Sequence, residues 1–426
     1  MPNGYWNRVL RVDLSSGKTW IESPGDAFYR KYLGGRGFIA HYLLTEVPKG
    51  IDAFDPENRL VFAPGVVTGA PLPGNGRHSV GGKSPLTGGF GEAESGGFWG
   101  AELKHAGYDA IVVQGQAARP TYLWISDDGV ELRDAGHLWG KVTGEVEDAL
   151  RAELGDRLVR VAQIGPGGEN LVRFACVVND LNEVAGRTGL GAVMGSKRLK
   201  AIAVRGRKRM PLANPKGLQA VAKWVADTME ENHKGFHELG TGAALIGKHM
   251  QGHLIVRNFR DGQMETCQKI DAMAIRDNYR VAMDGCYACS VRCKQRVRVE
   301  TPWKVEPRYG GPEYETMGAL GTNLAMDDLA ALCKANEMAN YYGLDSISLG
   351  ATIAWATEAF ELGLLTEADT GGVRLEWSNG SLLIDLIDKI ARREGIGDLL
   401  AEGAYRAAQK VGRGSEQYVV HVKGLE

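Results

Sequence analysis

The spacing of apolar residues changes character near the middle of the chain. Up to about residue 208, short runs rich in β-branched and aromatic residues alternate with clusters of Gly, Pro, Asn and Asp. Trp6–Leu14 alternates apolar and polar positions, as a strand with one wet face does. Leu60–Val66, Ala110–Val113, Thr121–Ile125, Leu158–Ile164, Leu171–Val178 and Leu199–Val204 read as further strands. Ala27–Leu33 and Gly144–Leu154 are helical interruptions. After Met210-Pro-Leu-Ala-Asn-Pro215 the period lengthens. Gly217–Glu230, Met326–Tyr342, Ser346–Leu362, Ser381–Arg393 and Asp398–Val411 carry apolar residues at i, i+3 and i+4. Asn214-Pro215 has the form of a helix start, and Gly363 and Gly395 of helix stops. Gln417–Val422 reads as the beginning of another strand. The pattern predicts an α+β multidomain chain. A β-rich domain spans 1–208, a mostly helical domain spans 209–416, and a third domain starts at 417–426.

Composition narrows the classes of function. The chain has 426 residues, 44% hydrophobic and 24% charged, with a net charge of −2. No basic surface argues for nucleic acid. No apolar run reaches the roughly 20 residues of a membrane helix, and Met1-Pro-Asn-Gly-Tyr-Trp has no hydrophobic signal segment. Six cysteines in a chain of this length do not form a secreted disulfide framework. A reducing cytoplasm is the expectation.

The 58 glycines are the first departure from the ordinary. Two segments of the first half concentrate them, Gly69 to Gly100 and Asn179 to Lys197. Bare backbone N–H groups cradle phosphate oxygens, and the interleaved Arg77, Lys83, Arg187 and Lys197 pair with the charge. The plain alternative is loops at sheet ends with solvated basic residues. Neither segment is a P-loop or a Gly-x-Gly-x-x-Gly at a strand–helix junction.

The second departure is Cys286-Tyr-Ala-Cys289-Ser-Val-Arg-Cys293. Thiolates are soft anionic ligands, and three at this spacing wrap one metal centre. A structural zinc site also takes cysteines, but more often as two Cys-x-x-Cys pairs or with His. Cys-x2-Cys-x3-Cys favours an iron–sulfur cubane short of one ligand. Cys267 and Cys333 are weak candidates for the fourth, Cys333 because it sits mid-helix among apolar residues, and Cys176 reads as a buried strand residue. The nine histidines show no ligand spacing.

Downstream, Gly310-Gly-Pro-Glu313-Tyr-Glu315 places two acids ahead of an apolar helix. They serve as a buried base or metal neighbour, or simply as helix caps. Asn340-Tyr-Tyr-Gly343-Leu344-Asp345-Ser346, read alone, is a joint between two helices.

Taken together these stretches resemble the tungsten-dependent aldehyde:ferredoxin oxidoreductase family. The matching segments are Tyr32-Leu-Gly-Gly-Arg-Gly, Lys83-Ser-Pro-Leu-Thr-Gly, Ser95-Gly-Gly-Phe, Leu103-Lys-His-Ala-Gly-Tyr-Asp-Ala-Ile, and Ala185-Gly-Arg-Thr-Gly-Leu-Gly-Ala-Val-Met-Gly-Ser-Lys. The cysteine run, Gly311-Pro-Glu-Tyr-Glu-Thr and Gly343-Leu-Asp-Ser-Ile-Ser complete the set.

The resemblance implies a base of two β-sheets forming half of a cofactor cavity. It implies tungsten, or molybdenum, held by the dithiolenes of two molybdopterins, with Mg2+ bridging their phosphates and a [4Fe–4S] cluster nearby. Arg77 and the Ala185, Gly186, Arg187 turn fall on positions that hold pterin phosphates and magnesium, and Lys83, Ser95 and Gly96 fall in the matching stretches around them. Glu94 stands where the family more usually has Asn. Asn340, Gly343, Leu344 and Asp345 fall on a pterin-binding Asp-x-x-Gly-Leu motif, with Asn340 for its leading Asp. Glu315, or second to it Glu313, falls on the acid next to the metal. Cys286, Cys289 and Cys293 fall on three of four cluster ligands. Lys334-Ala-Asn-Glu337 departs from the Glu-x-x-His pair that some members use for a metal between subunits, so that site is not carried over.

The implied activity is oxidation of an aldehyde to a carboxylic acid, with electrons leaving through the cluster to ferredoxin or a ferredoxin-like subunit, in a homodimer or hetero-oligomer. The alternatives are a ring-reducing aryl-CoA reductase subunit of the benzoyl-CoA type and an inactive fragment. The family continues past Glu426, into a part carrying the fourth cysteine, a second pterin motif and an active-site His. The chain is therefore expected to be truncated, one half of a split enzyme, or a partial sequence.

Overall fold

The computed structural model describes residues 3–426 and divides them into two units. The first runs up to Leu171 and takes in Ala175–Asn232 and Gly285–Val291. The second comprises Val172–Phe174, His233–Asp284 and Arg292–Glu426.

Two six-stranded mixed sheets form the first unit. One contains β1 (Val9–Asp13), β2 (Lys18–Glu22), β3 (Leu60–Pro64), β4 (His78–Lys83), β5 (Phe90–Ser95) and β6 (Ala110–Gln114), in the order β2-β1-β6-β3-β4-β5. The other contains β7 (Thr121–Ile125), β8 (Val130–Asp134), β9 (Arg160–Gln163), β10 (Val177–Asn179), β11 (Glu183–Ala185) and β12 (Leu199–Val204), in the order β11-β10-β9-β12-β7-β8. Each sheet has one parallel pair, β1 with β6 and β12 with β7. Apolar residues of both sheets meet in one core, which also takes in Trp99 and Leu103 from the helix Trp99–His105 and Leu190, Val193 and Met194 from the helix Leu190–Ser196. Trp99 is fully buried, and its indole Nε1 donates to the Ile202 carbonyl at 3.0 Å, which satisfies the one polar atom of that ring. The outer face of the first sheet is covered by the helices Asp26–Tyr32 and Arg36–Glu46, and that of the second by Thr143–Leu154.

The glycine-rich segments are more regular than the loop alternative allows. The first contains the whole of β4 and β5, and the second contains β11 and the helix Leu190–Ser196. Glycine occurs inside β4 because the helix above it lies close. A Cβ on Gly81 would come within 2.2 Å of Ile39, so only a bare backbone fits.

Three elements differ from the periodicity. Leu171–Val178 forms a strand only from Val177, because Arg173 N–H bonds the Ala401 carbonyl and its guanidinium bonds Glu402 within the second unit. Asp398–Val411 breaks at Gly403 (φ 83°) into Ile396–Leu400 and Ala404–Val411. Gln417–Val422 is not a strand. Ser415–Tyr418 is a 3-10 turn whose carbonyls are held by Trp355 Nε1 and Asn258 Nδ2.

The second unit is mostly helical. Leu329–Tyr342 starts at Asp328, whose side chain accepts from Ala331 N, and Ser346–Glu361 is buried along nearly its whole length. A two-stranded ribbon, β13 (Arg280–Asp284) with β14 (Lys294–Val297), flanks the segment that carries the three clustered cysteines. No described helix is long and apolar enough to cross a membrane.

Candidate functional site

In the first unit a cleft of about 350 Å³ opens at the start of β4, lined among others by Gly35, Arg36, Asn75, Arg77, His78 and Glu94. Arg77 is exposed there and makes no ion pair among the described residues. Glu94 is already engaged, since Arg36 donates to it at 2.9 Å and also lies 3.3 Å from Glu92. Asn75 gives both its N–H groups to the carbonyls of Val67 and Ala70, which leaves its Oδ1 buried without a partner. Both ring nitrogens of His78 are buried and unpartnered too, with the ring centroid 4.7 Å from that of Trp99. Burial, and next the Arg77 charge, push the His78 pKa down to about 3, so its ring is neutral. An unpaired guanidinium, an uncommitted amide oxygen and an uncommitted imidazole form a donor and acceptor set that fits a phosphate-bearing heterocycle. The sequence patterns single out Arg77 and Glu94 but miss Arg36, Asn75 and His78, whose significance lies in burial and partners rather than spacing.

The other expected cofactor residues of this unit fall in two places. Lys83 is at the far end of β4 and does not line the cleft. Ser95 and Gly96 end β5 and are tied to β10, since Ser95 Oγ donates to Asn179 Oδ1 at 2.6 Å and Asn179 Nδ2 donates to the Gly96 carbonyl at 3.0 Å. Ala185 ends β11, which packs beside β5, and pairs with Val177 of β10, and Gly186 and Arg187 follow it. Ser95, Gly96, Ala185, Gly186 and Arg187 thus share the region where edge strands of the two sheets meet.

The cysteine segment is held there as well. Tyr287 N–H bonds the Gly97 carbonyl at 3.0 Å, and Cys289 N–H closes a turn on the Cys286 carbonyl at 3.1 Å. Cys286 Sγ donates to Glu183 Oε1 at 3.5 Å. Gly96 makes that contact possible, because a Cβ there would stand 2.8 Å from Cys286 Sγ and 2.8 Å from Glu183 Oε2. Cys293 belongs to the second unit, just ahead of β14, where its carbonyl approaches Gly240 too closely for any side chain. Cys286, Cys289 and Cys293 are partly exposed thiols outside disulfides, whereas Cys176, Cys267 and Cys333 are buried. Burial pushes the Cys267 and Cys333 thiols up, which keeps them protonated. The thiols left partly exposed are therefore those of the cysteine run. Among the described residues, no group of three or more His, Cys, Asp or Glu side chains is placed to hold a metal ion.

In the second unit Glu313 occupies a helix N-terminal position without capping it. Its Oε2 instead accepts from Thr241 Oγ1 at 2.7 Å, and Lys294 Nζ lies 3.7 Å from Oε1. Thr241 Oγ1 in turn accepts from Tyr314 N at 2.9 Å. Glu315 is exposed and makes no hydrogen bond or ion pair among the described residues. The expected apolar helix after it is one turn, Tyr314–Thr316, followed by a π-turn at Met317–Gly321 and a 3-10 turn at Thr322–Leu324. Such widened turns re-aim the side chains next to them. Thr316 Oγ1 lies 3.1 Å from Ser346 Oγ, which ties the Glu315 turn to the start of the next helix.

The Asn340–Asp345 joint is built as its residue types predict. Gly343 ends Leu329–Tyr342 in the left-handed conformation (φ 70°), and Asp345 caps Ser346–Glu361 by accepting from Ile347 N. Asn340 Nδ2 donates to the Tyr309 carbonyl at 2.8 Å.

Two family models match consecutive parts of the chain. "Aldehyde ferredoxin oxidoreductase, N-terminal domain" matches residues 9–206, and "Aldehyde ferredoxin oxidoreductase, domains 2 & 3" matches residues 219–426. The two-sheet base and helical second unit are those of an oxidoreductase class. The chain belongs to the aldehyde ferredoxin oxidoreductase family. It is 43% identical over 427 residues to the tungsten-containing aldehyde ferredoxin oxidoreductase of Thermococcus kodakarensis, covering 99% of this chain and 70% of that protein. It is 32% identical to the WOR-like subunit of an aliphatic sulfonate oxidoreductase of Pyrococcus furiosus, with the same coverage. Among solved structures it is similar to the active site complex BamBC of benzoyl coenzyme A reductase with 1,5-dienoyl-CoA. The TM-score is 0.88 and the identity 33%, over 100% of this chain and 66% of that one.

Proposed function

We propose that the chain carries the cofactor base of a tungsten, or molybdenum, bis-pterin enzyme that oxidises aldehydes to carboxylic acids. The 43% identity to tungsten-containing aldehyde ferredoxin oxidoreductases, sustained over 99% of the chain, carries this reading. A metal bound through pterin dithiolenes supplies the two-electron acceptor, which is why the protein needs phosphate cradles around it rather than metal-ligand spacing. Arg77 pairs with pterin phosphate in the β4 cleft. Glu94 and the Ala185, Gly186, Arg187 turn serve the phosphates and their Mg2+, with Lys83, Ser95 and Gly96 supporting them. Asn340, Gly343, Leu344 and Asp345 receive the second pterin.

An aldehyde and one water yield a carboxylic acid, two electrons and two protons. Glu315 takes a proton on its carboxylate, which its freedom from internal partners leaves available, with Glu313 as the neighbouring acid. Cys286, Cys289 and Cys293 would supply thiolates to a [4Fe–4S] cluster, which would provide one-electron transfer toward a ferredoxin or a ferredoxin-like subunit. The setting is cytoplasmic, consistent with six cysteines outside disulfides, and the assembly a homodimer or hetero-oligomer.

The likeness to a benzoyl coenzyme A reductase complex favours a second reading, in which electrons run toward an aryl-CoA ring. The test is anaerobic purification followed by tungsten, molybdenum, iron and pterin analysis, with aldehyde-dependent ferredoxin reduction measured beside reduction of an aryl-CoA. Aldehyde turnover supports the first reading and ring reduction the second. Protein without pterin and iron overturns both.

A further inference from the structure

The first sheet ends on β2, and no strand among the described residues pairs with its outer side. Lys18, Thr19, Trp20 and Ile21 are all exposed, Trp20 by 45% and Ile21 by 37%. A free strand edge is a row of unpaired N–H and C=O groups, a template for another strand. The other edges are guarded. β5, at the far side of the same sheet, packs beside β11. β8, at the edge of the second sheet, packs Val130 and Leu132 against the core and shows Glu131 and Arg133, paired with each other at 2.8 Å. β2 leaves its apolar side chains outside instead. Arg11 fixes two residues of this strand. Its guanidinium lies 5.8 Å from the Trp20 ring centroid and donates to Glu22 at 2.9 Å. Gly17 (φ 69°) and Pro24, which lacks an N–H, bound the pairable stretch.

The strand Lys18-Thr-Trp-Ile-Glu22 is complementary to itself. Laid antiparallel on a second copy about a two-fold axis at Trp20, Lys18 meets Glu22 of that copy, Thr19 meets Ile21, and Trp20 meets Trp20. Each end then carries an opposite-charge pair and the centre an aromatic pair, the cross-strand combinations that favour an antiparallel ladder. A shift by two residues sets Trp20 against Lys18 or Glu22 and loses both ion pairs, so the charges fix the register. We propose that β2 is a self-association edge, through which two copies of this chain join into one continuous sheet with six strands from each. The occupant is a second copy because the strand's own order of charges selects it. The inference names a surface for a homo-oligomer and stands apart from the catalytic reading.

The experiment is sedimentation velocity of the anaerobically purified full chain over a rising concentration series. The samples are wild type, Lys18→Glu, Glu22→Lys, Trp20→Lys and an equimolar mixture of the first two variants, each checked by circular dichroism. Wild type should show a concentration-dependent association step. Lys18→Glu and Glu22→Lys each set like charges face to face at both ends of the strand, and each should weaken that step about tenfold. Trp20→Lys, which places two cations on the two-fold axis, should weaken it as well. The mixture should regain the wild-type step, because position 18 of one variant then faces an opposite charge at position 22 of the other. That recovery also shows that both variants are folded. A step that survives Lys18→Glu and Trp20→Lys, or that the mixture does not regain, overturns the proposal and moves association to another face. Wild type without such a step overturns it too, and leaves the edge to a strand of a different protein.

Discussion

Lys104 Nζ lies 2.8 Å from Asp109 Oδ1, and each side chain is only 1% exposed. Around this pair a network closes the start of the chain. Asp109 Oδ2 accepts from Tyr29 Oη, Trp6 N and Arg8 N, while Lys104 Nζ also donates to the Gly4 carbonyl and its own carbonyl receives Trp6 Nε1. The Leu103–Ile111 segment is thus a structural clasp rather than part of the chemistry. Asp109→Asn leaves a buried ammonium without its counter-charge and should cost about 3–5 kcal/mol. The double replacement Lys104→Met with Asp109→Leu should recover part of that loss in denaturant melts.

His78 predicts how the protein responds to acid. Its folded pKa of about 3 lies below the ordinary value of 6.5. Below pH 6.5 the unfolded chain binds a proton at this site and the folded one does not, so its contribution to stability declines as pH falls toward 3. The slope is ~1.4 kcal/mol per pH unit from this group. Unfolding of His78→Phe followed at pH 7, 6 and 5 should show that slope removed.

Gly96→Ala tests the packing beside the cysteine segment. A methyl 2.8 Å from Cys286 Sγ must displace the sulfur or the Glu183 carboxylate. Iron per chain should fall to half or less, while the two sheets remain folded by circular dichroism. Full iron retention would mean that the segment moves aside at no cost.

Glu315→Gln should lower aldehyde turnover by about 10²–10⁴-fold, with pterin and iron contents unchanged. Thr241→Val should have a smaller effect, since the hydroxyl it removes donates to Glu313 and accepts from Tyr314 N but does not touch Glu315. Equal losses in both variants would assign the chemistry to Glu313 instead.

Much of this architecture is legible in residue patterns, and the misses share a cause. Thr121–Ile125 emerges with the expected bounds because consecutive β-branched and aromatic residues have little alternative, and Leu199–Val204 because it is a short, fully buried apolar run. β4 and β5 escape the same reading because their glycines answer to close neighbours, Ile39 at Gly81, the Arg59 carbonyl at Gly82 and the Gly82 carbonyl at Gly91, not to strand propensity. The joint at Gly343 and Asp345 is readable because left-handed glycine and Asp caps are local chemistry. Arg36, His78 and Glu183 are not readable in that way. Each matters through a neighbour far away in sequence, and spacing says nothing about such pairs.

The Gly285–Val291 segment belongs to the first unit although residues 233–284 precede it in the second. During synthesis, at about 5–20 residues per second, the two sheets emerge roughly 4–16 s before the segment that seats against Gly76, Gly96 and Gly97. For that interval the nascent sheets present a bare glycine groove to the cell.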